Sequence, residues 1–196
     1  MSAFPAAGPA APRTTRSPAS PTRIAIVRAV LALAWAAALV VAVGDDVPGT
    51  SSDVPVAAAA LLTTYPLIDV AASIAGALGT GVSARVLRVN AAISALAAAA
   101  IAITAFGVDA GATLVAFGAW AAVSGAIQLA LAIRRRAEGR QAPMIVSGGL
   151  STIAGIGFAV SSGGDTARLS AIAAYMALGA LLFLLWAQRS RTVASR

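Results

Sequence analysis

Cysteine, histidine and lysine are all absent from this chain of 196 residues. Their absence removes thiol chemistry, disulfides, Cys/His metal sites and imidazole acid–base catalysis. Charge is scarce as well: 11% of residues are charged, against roughly a quarter in soluble domains. That excludes an ordinary soluble enzyme, a disordered chain and a disulfide scaffold. What is abundant is apolar: 59% of residues, with a mean hydropathy of +0.88. The class these numbers imply is an integral membrane protein.

Residues 1–23 hold five of the nine prolines, Pro5, Pro9, Pro12, Pro18 and Pro21, and are expected to form a disordered cytoplasmic tail. Residues 24–188 carry six apolar runs, at about 24–43, 54–81, 86–106, 110–133, 141–162 and 169–187. A bilayer core of roughly 30 Å needs roughly 20 helical residues, so each run reads as a transmembrane helix. None shows the period-two alternation of a barrel strand. The expected fold class is all-α: a polytopic domain of six transmembrane helices, followed by a short cytoplasmic tail at 189–196. The first run, with Arg23 and Arg28 at its start and Ala42, Val43 and Gly44 at its end, also has the outline of a signal peptide. Five further spans make a retained anchor the more natural reading.

All fourteen basic residues are arginine, and their placement alternates along the chain. Arg13, Arg16, Arg23 and Arg28 sit before or at the start of the first span, and Arg85 and Arg88 at the start of the third. Arg134, Arg135, Arg136 and Arg140 join the fourth span to the fifth, and Arg189, Arg191 and Arg196 end the chain. The opposite side holds Asp45, Asp46, Asp53, Asp109 and Asp165, with Arg168 as its one arginine. The positive-inside rule makes the arginine-rich side, and both termini, cytoplasmic. The net charge of +7 then reflects topology and contact with anionic lipid headgroups, not nucleic acid. The localisation expected is a bacterial plasma membrane, crossed several times.

Tyr65, Trp120 and Tyr175 are spaced 55 and 55 residues apart, each near the middle of an even-numbered span. The same offset aligns Ile74 with Leu129 and Leu184. The spans therefore read as three helical-hairpin repeats of about 55 residues, spans 1–2, 3–4 and 5–6, all in the same sense. They differ in this from the inverted repeats of many transporters.

Asp69 stands out as the one acidic residue well inside a span. A carboxylate there costs about 2.5–3.5 kcal/mol on insertion scales. It is expected to face the bundle interior and to be protonated or paired, since desolvation disfavours its charged form. Tyr65 and Ser73, four residues either side, share its helical face and can hydrogen-bond it. Pro66 removes a backbone donor beside it. Asp69, Tyr65 and Ser73 form a proton-sensing candidate; the plainer reading makes Asp69 a neutral interhelical contact. Asn90 and Ser94 pair at one turn on the third span, and Ser124 and Gln128 on the fourth, as interhelical hydrogen-bond partners or a polar lining. Gly111, Gly118 and Gly125 recur every seven residues, and Ser147, Ser151 and Gly155 every four; such small-residue stripes allow close helix packing. Trp186, next to Arg189, has the position of an interfacial anchor. No catalytic residue, metal ligand or cofactor motif is legible. The partners expected are the bilayer, with anionic headgroups at the arginine clusters, and further copies of the chain.

These features resemble the HdeD-like membrane proteins, a family of six-span bacterial proteins. The likeness lies in Phe117-Gly118-Ala119-Trp120, Ser124-Gly125-Ala126-Ile127-Gln128-Leu129, the Arg134-Arg135-Arg136 turn, Ser147-Gly148-Gly149-Leu150 and Tyr175-Met176-Ala177-Leu178-Gly179-Ala180-Leu181-Leu182-Phe183. Tyr65-Pro66-Leu67-Ile68-Asp69 is similar too. The resemblance covers roughly residues 24–190 and implies a role in acid or envelope stress, with no established catalytic residue. The function expected on that basis is non-catalytic, through pH-dependent packing or proton handling at Asp69. The alternatives are a small oligomeric transporter or channel, and a scaffold for another membrane protein.

Overall fold

A computed structural model of the chain describes residues 21–45, 47–78, 82–139 and 141–194. The expected tail before Pro21, and Asp46, Arg140 and Arg196, lie outside the described residues. Those described residues form six α-helices: α1 (Pro21–Val43), α2 (Val56–Gly76), α3 (Val82–Gly107), α4 (Ala110–Arg134), α5 (Ala142–Ser161) and α6 (Leu169–Ala194). A short 3-10 turn, Arg136–Glu138, links α4 to α5. Each α-helix is long and apolar enough to cross a membrane. The protein is a multi-pass membrane protein, its outer faces in contact with the bilayer.

The helix limits follow local chemistry. Pro55 stands just before α2 and Pro143 lies in the first turn of α5, where a missing N–H loses nothing. Asp109 caps α4, accepting the Ala112 N–H at 2.6 Å. Gly139, at φ 73°, closes the turn after α4. Two ends differ from the sequence expectation. α2 stops at Gly76, short of residue 81. α6 continues past the apolar run to Ala194, because Gln188–Ala194 contains no glycine or proline to stop it. Pro66 is buried inside α2, which runs through it.

The six helices close into a ring. Every extensive helix–helix contact among the described residues joins cyclic neighbours, and α6 closes the ring against α1. The contacts alternate: α2–α3, α4–α5 and α6–α1 are tight, while α1–α2, α3–α4 and α5–α6 are looser. The tightest pairs therefore bridge successive 55-residue units instead of lying within them.

The α4–α5 seam is closest, for a reason visible in its residues. A Cβ added at Gly118 would lie 2.5 Å from the Gly155 carbonyl oxygen, and one at Gly125 would lie 2.6 Å from the Ser151 Cβ. Only glycine permits the two backbones to approach so far. Gly111, the third member of that stripe, instead faces Thr50 in the first loop. Small residues also build the α1–α6 seam, through Ala29, Ala32 and Ala180.

The two ends of the ring are built differently. At one end, loops join through backbone hydrogen bonds. Gly49 and Thr166 form a bridge, the Ala167 N–H donates to Pro48 at 2.7 Å, and the Gly111 N–H donates to Thr50 at 2.8 Å. Beneath them, Leu39, Leu62, Ile101, Leu114, Leu169, Ile172 and Met176 fill the ring without exposure. At the other end, where the arginine-rich connections lie, the ring is open.

Candidate functional site

The open half contains a cavity of about 470 Å³, lined by residues from all six helices. Pro21, Leu78, Arg135 and Gln141 lie near its mouth, and Tyr65, Trp120 and Tyr175 near its floor. The floor is aromatic because the three residues spaced by 55 converge there. Phe117 lies at ring-centroid distances of 6.2 Å from Tyr65, 5.3 Å from Trp120 and 6.2 Å from Tyr175. Phe158 joins from α5 at 5.8 Å from Tyr175. All but the stacked Tyr65–Phe117 pair meet edge to face, and such pairs hold ring positions as well as area.

Asp69 lies beside this floor, and its surroundings correct the sequence reading in one respect. The sequence placed Arg28 with the basic residues at the edge of the first span and left Asp69 without a titratable partner. α1 begins at Pro21, so Arg28 is two turns inside the helix, and it forms an ion pair with Asp69. The Arg28 side chain keeps 24% exposure and Asp69 keeps 4%, so the arginine is the cavity-facing member. Its guanidinium also sits 4.6 Å above the Phe183 ring, a cation–π contact.

The second carboxylate oxygen is held from α3. Asn90 Nδ2 and the Ser94 hydroxyl each donate to Asp69 Oδ2 at 2.7 Å. Asn90 Nδ2 also donates to Ser73 Oγ at 3.0 Å, and Trp120 Nε1 donates to Ser94 Oγ at 3.0 Å. Four helices thus meet on one carboxylate, directly or through one intermediate. Two pairs that the sequence kept separate, Asp69 with Ser73 and Asn90 with Ser94, form a single network. Tyr65 takes a different place: it stacks on Phe117 and meets Trp120 edge-on, and no hydrogen bond joins it to Asp69 among the described residues.

The other sequence candidates divide between lining and packing. Ser124 and Gln128 line the cavity; Gln128 Nε2 donates to the Met144 carbonyl at 3.3 Å. Ser151 accepts from the Tyr175 hydroxyl at 3.2 Å, across the α5–α6 seam. Ser147 is buried, and Gly118, Gly125 and Gly155 belong to the α4–α5 seam. Trp186 turns into the cavity lining, which the reading as an interfacial anchor did not anticipate. Asn90 Oδ1, Ser124 Oγ and Trp186 Nε1 are buried without a hydrogen-bond partner among the described residues. A second, smaller groove of about 200 Å³ runs between α1 and α2 and also reaches Arg28.

No group of acidic residues able to hold a metal ion is present among the described residues. The site brings together a charged pair, several hydrogen-bonding groups and aromatic walls inside a space open at one end. No family model matches the chain, and neither a curated protein nor a solved structure does. The likeness to HdeD-like proteins accordingly rests on its sequence motifs alone.

Proposed function

We propose that the protein is a non-catalytic carrier of a small solute, with its binding site at the Arg28–Asp69 pair. The observation that supports this reading is the one-ended cavity. All six helices line it, it is closed on one side by packed side chains and joined loops, and the Arg28–Asp69 pair lies in it beside the aromatic floor. A carrier that exposes a midplane site alternately to each side has this form in one of its two states. The arginine distribution supports an orientation with the open end and both termini in the cytoplasm of a bacterial cell. It also supports contact between the arginine clusters and anionic headgroups. The convergence of Tyr65, Trp120 and Tyr175 on Phe117, with alternating tight and loose seams, supports descent from three hairpin repeats.

The test uses the cysteine-free chain as it stands. A single Ala72→Cys variant, at a half-buried position of the cavity lining one turn from Asp69, is treated in sealed vesicles with a membrane-impermeant thiol reagent from each side. Reaction from the arginine-rich side at rest, and from the opposite side under conditions of solute exchange, is the expected result. Reaction from one side only, under every condition, overturns the carrier reading and leaves a one-sided receptor.

A second reading, acid-stress resistance in the manner of HdeD-like proteins, is favoured by the ion pair itself. Protonation of Asp69 leaves the half-buried, cavity-facing Arg28 without its carboxylate partner, which destabilises a charge set among apolar groups. Packing at the ring's centre then responds to acid. Loss of acid survival in a deletion strain, restored by the wild-type gene and not by Asp69→Asn, is the outcome that reading requires.

A further inference from the structure

We propose that the cavity's ligand is an organic monocarboxylate with an apolar body. Its carboxylate pairs with Arg28 in place of Asp69, while Asp69 takes up one proton from the aqueous side as it is displaced. This deepens the carrier reading and rests on it only in requiring an accessible cavity.

Three observations carry the assignment. The first is the stand-in already in place. A carboxylate, that of Asp69, already pairs with the guanidinium through one oxygen, Oδ1 against Nη1, so the site has room for that group beside Arg28. The second is the distribution of charge and donors. Arg28 and Arg135 line the cavity, Arg134 and Arg136 flank its mouth, and the arginine-rich end draws anions inward. Trp186 Nε1, a donor only, and Ser124 Oγ are buried beside it without partners among the described residues. Aromatic and aliphatic side chains form most of the remaining lining, which suits an apolar body. The third is charge balance. The buried centre holds one positive and one negative charge. Adding an anion alone leaves it with a net negative charge far from water, which is expensive. Uptake of one proton by Asp69 restores neutrality: the incoming carboxylate pairs with Arg28, and the carboxyl of Asp69 becomes neutral.

The network around Asp69 accommodates both protonation states. As a carboxylate it accepts from Asn90 and Ser94. As a carboxylic acid it must donate. Asn90 Oδ1 is unpartnered among the described residues, and rotation of the amide turns that acceptor toward Asp69; the Ser94 hydroxyl can turn as well. The other charged or titratable groups facing Asp69 are few. Arg28 comes from α1, Tyr65 from its own helix and Tyr175 from α6. α3 contributes Asn90 and Ser94; its Arg88 is directed to the Ala77 carbonyl at 3.4 Å. α4 has no titratable residue before Arg134, and α5 has none.

The experiment measures saturable binding of radiolabelled benzoate to the full chain in lipid nanodiscs between about pH 5 and about pH 7, with benzylamine and benzamide run as parallel probes. Benzoate binds, and its affinity falls roughly tenfold for each unit of rising pH, as uptake of one proton requires. Asp69→Asn binds benzoate without pH dependence and roughly tenfold more tightly at neutral pH, since no internal carboxylate competes. Arg28→Gln loses at least about tenfold in affinity. Isotope-edited infrared difference spectra of the wild type, with carboxyl-labelled benzoate, show a protonated carboxyl on the protein and an ionised one on the ligand. This measurement does not depend on any variant folding. A protonated ligand in those spectra, or persistent pH dependence in Asp69→Asn, overturns the proton transfer to Asp69. Binding of benzylamine but not benzoate overturns the anion assignment while leaving the carrier reading standing. Failure of all three probes overturns the ligand assignment, and an Ala72→Cys variant unreactive from either side overturns the carrier reading as well.

Discussion

The two halves of the ring solve different problems with the same poor alphabet of alanine, glycine, valine and leucine. In the closed half, Leu39, Leu62, Ile101, Leu114, Ile172 and Met176 interlock, and the loops above them share backbone hydrogen bonds. In the open half, the helices leave a cavity between them, and the Arg28–Asp69 ion pair joins α1 to α2. The closed half is held chiefly by shape, with the Asp109 cap on α4 as its one acidic contact among those described. The open half is held across its helices by charge, at the Arg28–Asp69 pair. A membrane bundle gains little from the hydrophobic effect between its helices, so each half must rely on its own device.

That contrast is tested most severely by removing one piece from each half and following thermal unfolding across pH. Phe117→Ala, at the junction with the closed core, is expected to cost about 3–5 kcal/mol, by the same amount in acid and at neutral pH. Arg28→Ala is expected to cost about 3–5 kcal/mol at neutral pH, because Asp69 is left buried and unpaired. In acid that loss shrinks, since protonation removes the orphaned charge. Asp69→Ala removes the titrating group itself: Arg28 cannot shed its proton, so this variant's own stability is expected to stay flat with pH, and its deficit against wild type closes in acid as the wild type loses the pair. If wild type and Asp69→Ala lose stability alike as pH falls, the open half is not held by charge. Gly155→Ala forces a methyl against the backbone of Ala122 and is expected to cost about 1–3 kcal/mol, read as a lower unfolding midpoint independent of pH. The smallest effect is assigned to Thr50→Val, which removes the hydroxyl bond to the Gly164 carbonyl at 2.7 Å. A loss of about 0.5–1.5 kcal/mol, with faster hydrogen exchange confined to the loops, would mark the joined loops as a local clasp.

The number and approximate limits of the helices were legible because apolar length alone decides them. The inward face of α2 was legible too, since a mid-span carboxylate has nowhere else to go; Asp69 and Ser73 are indeed buried on one side. Arg28 was misplaced for a physical reason. An arginine near the start of a span normally reaches back to the headgroups, and charge counting treats it as lying outside. The signal that corrects this is the stripe Ala25, Ala29, Ala32 and Ala36, all buried: Arg28 lies on that same face and so points into the ring. The cavity was not legible at all. It arises from the spacing of six helices, and no residue pattern records an empty volume. The convergence on Phe117 was half legible: the 55-residue interval marked Tyr65, Trp120 and Tyr175, but nothing in the interval named the ring at their centre.

The glycine contacts between α4 and α5 carry a mechanical consequence. With backbone carbonyls of one helix against backbone atoms of the other, that pair can neither slide nor tilt without collision, and it travels as one rod. The seam from α5 to α6 has the least helix-to-helix packing in the ring, crossed by the Tyr175–Ser151 hydrogen bond and the Phe158–Tyr175 ring contact. A shutter that opens anywhere will therefore part first along that line, and paired spin labels on the outer faces of α5 and α6 would register the movement before any placed across α4 and α5.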